Sequence, residues 1–378
     1  MNDIMKTDSF SVTSNMDGEL KPHKVKDLLL DRRTLLQNEL RSLLECDIEY
    51  AQPQRISELI SLLLSDFEYN GHNLRENSLK SLCQHWDVFR RWCGEHNIVH
   101  IPCSVDNFER FIIQLAPTVK HNTLKVYSWA VQTYHLAAGL PSPTEPLKIK
   151  HLMGKMEEAK LNNGEFIGQA AAFNLKHLEV LKQAYSKSER LIERRDLALL
   201  MTAYESMLRE SELARVSFEH LNVAYDGRGI LLIPITKTRH SGEPDKVILS
   251  HECMAAINDY VALANLERKG LIFKRVHKSN KIGVQIKPLS GYAIDSIFSN
   301  AFKFVKTHSP HLIRSEQAWS GHSARVGACQ DLLAAGFSPM QVQVSGRWSS
   351  LVMVYRYGRD ILAEDGAMAK FRQKSNPL

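Results

Sequence analysis

His322 and Arg325 are the pair of residues in this sequence best placed to bind a phosphate. They lie three positions apart, and the apolar residues that follow recur at helical spacing, which predicts a helix from His322 to Leu333. Both side chains would then project from one face of its first turn. A helix N-terminus favours anions through its free N–H groups, and an imidazole and a guanidinium fork add to that preference.

Two other interpretations of this segment stay open. A His-x-x-Arg pair can simply form a solvated helix face. The run from Gly321 to Arg325 also resembles the Gly-x-Ser-x-Gly nucleophile elbow of esterases, with Arg325 in place of the last glycine. That elbow requires a buried strand before it.

Further candidates for chemistry lie on both sides of this pair. Arg209 leaves the most apolar predicted helix, and Glu212 could pair with it. Lys237 lies at the tip of a predicted hairpin, where a lysine is ordinarily solvated. Trp348 precedes Tyr357 by nine positions, and both aromatic side chains could be core residues.

The elements that would position these residues fall into two blocks. Residues 1–22 are polar and without periodicity, which predicts disorder. Residues 23–160 show only helical periodicity, including an extra N-terminal helix, and Asp106 is predicted to cap the fourth helix. Residues 161–168 are polar and contain two glycines, as a linker does, and residues 169–378 form a second, mostly helical block.

One small antiparallel sheet is predicted inside the second block. Asp226-Gly227 marks a hairpin turn, and the apolar run 230–235 follows it. Pro234 cannot donate a ladder hydrogen bond and predicts that this strand lies at the sheet edge. The run 246–249 is predicted to pair with it.

Composition excludes several classes of protein. Hydrophobic residues make up 44% of the 378 residues and charged residues 24%, as in globular proteins. The net charge of +6 permits nucleic-acid binding. The six cysteines show no Cys-x-x-Cys spacing, which disfavours a zinc ribbon or a disulfide framework. The scattered cysteines predict a reducing cytoplasm. No apolar run reaches the roughly 18 residues of a membrane span.

The order of these candidates resembles a known family. Arg, Lys, His-x-x-Arg, Trp and Tyr, in a helical domain with one hairpin, resemble the tyrosine site-specific recombinases, and more narrowly their Cre-like branch. The resemblance covers about residues 70–372 and is most specific in the second block. The segments that carry it are Tyr204–Arg209, Thr236–Glu243, Trp319–Gly327 and Gly346–Ser350.

The resemblance implies a role for each candidate in cutting DNA by transesterification. No metal or cofactor is implied. Tyr357, rather than Tyr355, would be the nucleophile that forms a 3′-phosphotyrosine. Arg209 and Arg325 would clamp the phosphate, and Lys237 would be the general acid. His322 would accept a proton or donate a hydrogen bond, Trp348 would position the phosphate through its indole N–H, and Glu212 would orient the arginine and the histidine.

The resemblance also implies a fold and partners. The fold would be mainly α, a two-domain DNA clamp with a helical core-binding domain and a mostly helical catalytic domain. The partners would be duplex DNA with inverted arms and further copies of the chain, with a dimer on each site and a homotetramer on two sites. The protein would be associated with a bacterial nucleoid or plasmid and not with a membrane.

The family's helices approach the major groove at places that correspond here to Lys80, Asn122, Thr123 and Lys125, although a charged helix face is often only solvated. The segment 361–372 would be a short helix whose apolar side chains dock into a neighbouring subunit.

Two other functions remain open at this point. A type IB topoisomerase shares this chemistry but relaxes DNA without exchanging partners. A DNA-binding regulator without catalytic activity is a possibility from a different class.

Overall fold

The computed structural model is mainly helical, as predicted, with one small antiparallel sheet. It divides into two compact units, Met1–Ile167 and Gly168–Leu378, and the boundary falls within the segment interpreted as a linker. None of the helices in the part of the chain that is described has both the length and the apolarity needed to cross a bilayer. The structure describes residues 22–45, 52–71, 74–165, 168–234, 244–282, 287–364, 366, 368 and 370–372.

The first unit is built from helices joined by short connections, and one face of each packs into a shared core. Leu59, Phe89, Phe111 and Leu124 are fully or almost fully buried there. Its helices are α1 (Pro22–Glu45), α2 (Pro53–Asp66), α3 (Glu76–Glu95), α4 (Val105–Leu115), α5 (His121–Ala137) and α6 (Leu147–Asn162).

The start of α4 differs from the prediction. Ser104 is the N-cap, and its hydroxyl accepts a hydrogen bond from the Asn107 N–H at 3.2 Å. Asp106 lies in the first turn instead, where a carboxylate is favoured by the helix dipole and pairs with Lys148 at 2.9 Å. The prediction that Asp106 caps the helix was therefore wrong, because the serine two positions earlier serves the free N–H.

The second unit surrounds a long buried helix with shorter ones. Its helices are α7 (Leu175–Tyr185), α8 (Leu191–Ser206), α9 (Glu210–Leu213), α10 (His251–Leu263), α11 (Gly291–His308), α12 (Ser323–Ala334), α13 (Pro339–Gly346), α14 (Val352–Tyr357) and α15 (Arg359–Glu364). The strands are β1 (Leu221–Val223), β2 (Gly229–Ile233) and β3 (Asp245–Leu249).

The three strands form one antiparallel sheet in the order β1-β2-β3. The turn at Asp226-Gly227 is confirmed, with Gly227 at φ 85°. The pairing of β2 with β3 is confirmed as well, but the prediction that β2 is an edge strand was wrong because it lies in the middle. The strand ends at Ile233, which pairs with Asp245, so Pro234 follows the last pair and its missing N–H costs the ladder nothing.

Helix α12 is held against the segment before α7 by a close backbone approach. The Phe173 N–H donates to the Ser323 carbonyl at 3.0 Å. A Cβ on Gly327 would lie 1.9 Å from the Phe173 carbonyl oxygen, so only glycine fits there. On the same helix, Asp331 accepts hydrogen bonds from the Leu175 N–H and the Tyr204 hydroxyl, both at 2.7 Å. These contacts fix α12 relative to α7 and α8.

Candidate active site

His322 and Arg325 lie at the start of α12, but not both in its first turn. The helix begins at Ser323, and His322 is the N-cap residue. The predicted start was one residue early. Arg325 lies inside the first turn and is 1% exposed, whereas His322 is exposed as a whole residue although its ring packs edge-on against Tyr357. The solvated-face interpretation does not hold for Arg325.

Tyr357 meets His322 directly. It ends α14, where its hydroxyl lies 2.5 Å from His322 Nε2. Its ring packs edge-on against the Trp348 ring, with the centroids 5.6 Å apart. Tyr355, two positions earlier on the same helix, is 52% exposed, whereas Tyr357 is 4% exposed. The helix therefore turns only one of the two phenols into the site.

Arg325 is fixed by the ends of two helices. Its Nη1 donates to the Met207 carbonyl after α8, and its Nη2 donates to the Gly346 carbonyl at 3.0 Å, at the end of α13. Its guanidinium lies 5.1 Å from the centre of the Trp348 ring. The indole thus contacts both Arg325 and Tyr357, and it packs tightly enough that a Cβ on Gly346 would overlap it.

Arg209 completes the cluster from the N-terminus of α9. Glu212 accepts from Arg209 Nη1 and from the Arg209 backbone N–H, both at 2.9 Å. Glu212 is largely buried, and its Oε2 also lies 3.4 Å from Arg347 Nη2. Among the described residues Glu212 therefore binds two arginines, and its contacts do not include His322. Sequence reasoning missed Arg347, because an arginine beside a tryptophan carries no spacing signal.

Burial and charge set the protonation of the phenol and the imidazole. Burial raises the pKa of Tyr357, and this is partly offset by Arg325 and Arg356. Burial also lowers the pKa of His322, and the same two arginines lower it further. At neutral pH the phenol is therefore protonated and the imidazole neutral. A protonated phenol beside a neutral imidazole donates its hydrogen bond to Nε2 and can pass its proton there.

The surrounding guanidinium groups leave the site strongly cationic. Burial, together with Arg209 and Arg347, lowers the pKa of Arg325 to about 10, so it stays charged at neutral pH. The carboxylate of Glu212 is shared between two of these arginines. An oxyanion such as a DNA phosphate diester would supply charge that this cluster lacks.

The four residues predicted to contact DNA belong to the first unit. Lys237 falls outside the described residues. In the first unit, Lys80 lies exposed on α3, while Asn122, Thr123 and Lys125 lie within the first five residues of α5. Lys125 Nζ pairs with Glu157 of α6 at 3.1 Å.

Comparison with known proteins gives one family match and relatives of known type. Residues 175–361 match the phage integrase family. The recombinase Cre of Escherichia phage P1 is 26% identical over 296 residues, which cover 77% of this chain and 85% of that protein. An integrase/recombinase XerD homologue of Selenomonas ruminantium is 24% identical over 288 residues, covering 75% and 81%.

Solved structures share the fold at lower identity. The XerH recombinase bound to a palindromic difH substrate, in a post-cleavage complex, superposes with a TM-score of 0.56 at 13% identity, covering 92% of this chain and 96% of that one. The Tn1549 transposon integrase in complex with transposon right-end DNA gives a TM-score of 0.57 at 11% identity, covering 84% and 99%.

Proposed function

We propose that Tyr357 is the nucleophile with which this chain, a Cre-like tyrosine site-specific recombinase with a phage integrase domain, cuts DNA. The observation that carries the proposal is the 2.5 Å hydrogen bond between the Tyr357 hydroxyl and His322 Nε2. It joins a phenol to a proton acceptor in a pocket that also contains Arg325. The segments 204–209, 236–243 and 346–350 further resemble the VCre and Vika recombinases, and this finer likeness stays a prediction.

The proposed step is a transesterification at phosphorus. The Tyr357 oxygen forms the new bond to phosphorus, and its proton moves to His322 Nε2. The bond from phosphorus to the 5′ oxygen breaks, leaving a 3′-phosphotyrosine. Lys237, in the role implied by the resemblance, protonates the departing 5′ oxygen. Attack by a 5′-hydroxyl from the partner strand reverses the step and rejoins the DNA.

Arg209 and Arg325 would stabilise charge on the non-bridging phosphate oxygens during this step. Arg325 is held by fixed carbonyl acceptors, and Arg209 by Glu212. Donors positioned in advance need no reorganisation when the charge develops, which is the basis of oxyanion stabilisation. Trp348 would keep the arginine and the tyrosine at their present separation, since its ring contacts both.

We also propose that the DNA partner is a duplex with inverted arms, bound by a dimer on each site and a tetramer on two sites. The DNA-bound structures of XerH and of the Tn1549 integrase support the DNA partner in this proposal. In the first unit, exposed Lys80 and the start of α5, from Asn122 to Lys125, would contact it. Phosphate contacts would make the affinity fall steeply with salt concentration.

The nucleophile can be tested on a nicked substrate that traps the covalent intermediate. We expect Tyr357→Phe to give no covalent protein–DNA adduct, because phenylalanine lacks the attacking oxygen. Tyr355→Phe is the matched control, since it removes a hydroxyl two positions away on the exposed side of α14. It should give the adduct as the unmodified chain does. Peptide mapping that placed the phosphate on Tyr355 would contradict the assignment.

A further inference from the structure

Arg347 has an unusual backbone and a buried side chain. It follows α13 with φ at 53°, in the left-handed region that residues other than glycine seldom adopt. Its side chain is only 6% exposed. A bulky residue persists in such a conformation only where its surroundings hold it there. The contacts of its guanidinium show what holds it.

The guanidinium of Arg347 closes the end of α8. Nη1 donates to the Ser206 carbonyl at 2.9 Å, and Nη2 donates to the Met207 carbonyl at 3.3 Å. The last carbonyls of a helix lack partners inside the helix and carry partial negative charge, so a cation is favoured there. Met207 itself is left-handed, with φ at 49°, and its carbonyl direction therefore depends on this cap.

The same guanidinium reaches two carboxylates. Its Nη2 lies 3.4 Å from Glu212 Oε2, and its Nε lies 3.9 Å from Asp245 Oδ2, at the first residue of β3. Because the other oxygen of Glu212 holds Arg209, Arg347 and Arg209 share one carboxylate. The position of the Arg209 fork is thus tied to Arg347.

Both hydrogen-bond acceptors of Arg325 also depend on Arg347. The Met207 carbonyl accepts from both arginines. The Gly346 carbonyl accepts from Arg325 at 3.0 Å, and its direction is set by the left-handed turn at the next residue. No other described side chain forms a hydrogen bond to both the α8 end and Glu212.

We infer that Arg347 is a positioning residue that fixes the two phosphate-binding arginines, Arg209 and Arg325, before DNA arrives. The inference rests on the proposed function and adds a residue to it. Arg347 acts through the Met207 carbonyl and the Glu212 carboxylate and does not itself touch the phosphate. Its loss should leave DNA binding nearly unchanged and slow the cleavage step.

The test uses Arg347→Gly in the full chain, because glycine adopts the same φ without strain and removes only the side chain. Two quantities would be measured, the affinity for a DNA half-site and the single-turnover rate of covalent adduct formation. We expect affinity within about twofold of the unmodified chain and cleavage slower by on the order of 100-fold, the scale of a misplacement of about 1 Å. Arg347→Lys keeps the charge but loses the fork, and its rate should fall between the two.

Chemical rescue separates positioning from a general loss of structure. Guanidinium ion, added well below denaturing concentration, should restore part of the rate to Arg347→Gly, whereas sodium chloride at equal ionic strength should not. Wild-type cleavage by Arg347→Gly would overturn the inference. The inference would also be overturned if guanidinium did not restore cleavage to Arg347→Gly while Arg347→Lys cleaved at the wild-type rate.

If Arg347→Gly does not fold, the test uses Arg347→Lys alone, at a temperature where a melting curve shows that it is folded. An unchanged rate of adduct formation in Arg347→Lys would then overturn the inference. Failure of the unmodified chain to form an adduct would instead count against the proposed function.

Discussion

At the residue scale, the site depends on two side chains whose protonation is set by the same surroundings. Burial disfavours the charged form of both Tyr357 and His322, so the phenol keeps its proton and the imidazole stays without one. Arg325 and Arg356 lower the pKa of both groups, which eases loss of the phenol proton but makes the imidazole a weaker proton acceptor. The cations therefore favour the tyrosinate and disfavour the imidazolium.

The His322 titration gives a direct check on this balance. Its pKa is lowered by burial, Arg325 and Arg356, so in the DNA-free protein its NMR signal should titrate below the ordinary value of about 6.5. Arg356→Gln removes one of these two arginines, at an exposed position, and should move the midpoint of the His322 titration upward, toward that value. His322→Asn identifies the signal. A midpoint that does not move in Arg356→Gln would show that burial alone controls the imidazole.

The lowered pKa also has a consequence for stability. A histidine that binds its proton more weakly in the folded state contributes stability above its unfolded pKa of about 6.5, and that contribution is lost as the pH falls. The buried His135, whose pKa burial lowers to about 4, acts in the same direction.

The order of the candidate residues along the chain indicated the site, but it did not indicate which groups hold their side chains in place. The acceptors of Arg325 are backbone carbonyls of Met207 and Gly346. Every residue has a carbonyl, so nothing in the residue types marks these two. Arg347 was missed for a related reason, because its role depends on a left-handed backbone conformation that nothing in the sequence predicts.

At the element scale, α12 carries His322 and Arg325 and must lie at one fixed depth in the second unit. Gly327 sets that depth through its approach to the Phe173 carbonyl. Asp331, one turn further along, binds the N-terminus of α7 and the Tyr204 hydroxyl. A shift of α12 would move both site residues together, because they share its first turn and cap.

We expect Gly327→Ala to destabilise the second unit by about 1–3 kcal/mol, as overpacking does, and to slow cleavage by displacing α12. Gly154→Ala is the matched control, because Gly154 lies inside α6 with no atom within 4 Å of an added Cβ. It should be neutral or stabilising by up to about 1 kcal/mol. Calorimetry of the full chain would measure the stability change of both variants, each in the unfolding transition of its own unit. Equal melting of Gly327→Ala and the unmodified chain would contradict the packing argument.

Element types were easier to predict than element ends and sheet order. The apolar periodicity of α8 and the turn at Asp226-Gly227 follow from local sequence, and the structure has both. The position of β2 in the middle of the sheet does not follow from local sequence, because it depends on β1 pairing with the other edge of β2. Pro234 suggested an edge only on the assumption that the strand continued through it.

At the scale of the whole molecule, the C-terminal segment bears on assembly. Helix α15 begins at Arg359, earlier than predicted, and Ile361 and Leu362 pack against the core cluster that contains Tyr357. Residues further on behave differently, since Met368 is 71% and Phe371 63% exposed. The segment therefore has one part that supports its own unit and another that presents apolar side chains to solvent.

A groove of about 540 Å³ in the second unit would suit such side chains. It lies along α12 and α13, and Phe337, Met340 and Val344 line it with exposed apolar surface. Exposed apolar surface of this kind is typical of protein interfaces. In the proposed tetramer each copy would contact the next, and Met368 and Phe371, called here the tail, would supply that contact if they bound in a neighbour's groove.

We therefore expect Met368→Ser with Phe371→Ser to leave binding of one protomer to one DNA arm intact but to abolish cooperativity between arms and recombination. Val344→Asp, on the groove side, should give the same loss without altering the tail. Val223→Ser, which changes an exposed apolar residue of β1 outside both surfaces, serves as the control. Gel-shift titration on one-arm and two-arm DNA separates binding of one protomer from cooperative binding of two.

A truncation after Arg359 would be a poorer test, because it also removes Ile361 and Leu362 from the core beside Tyr357. Wild-type cooperativity in the tail variant would mean that copies assemble through another surface.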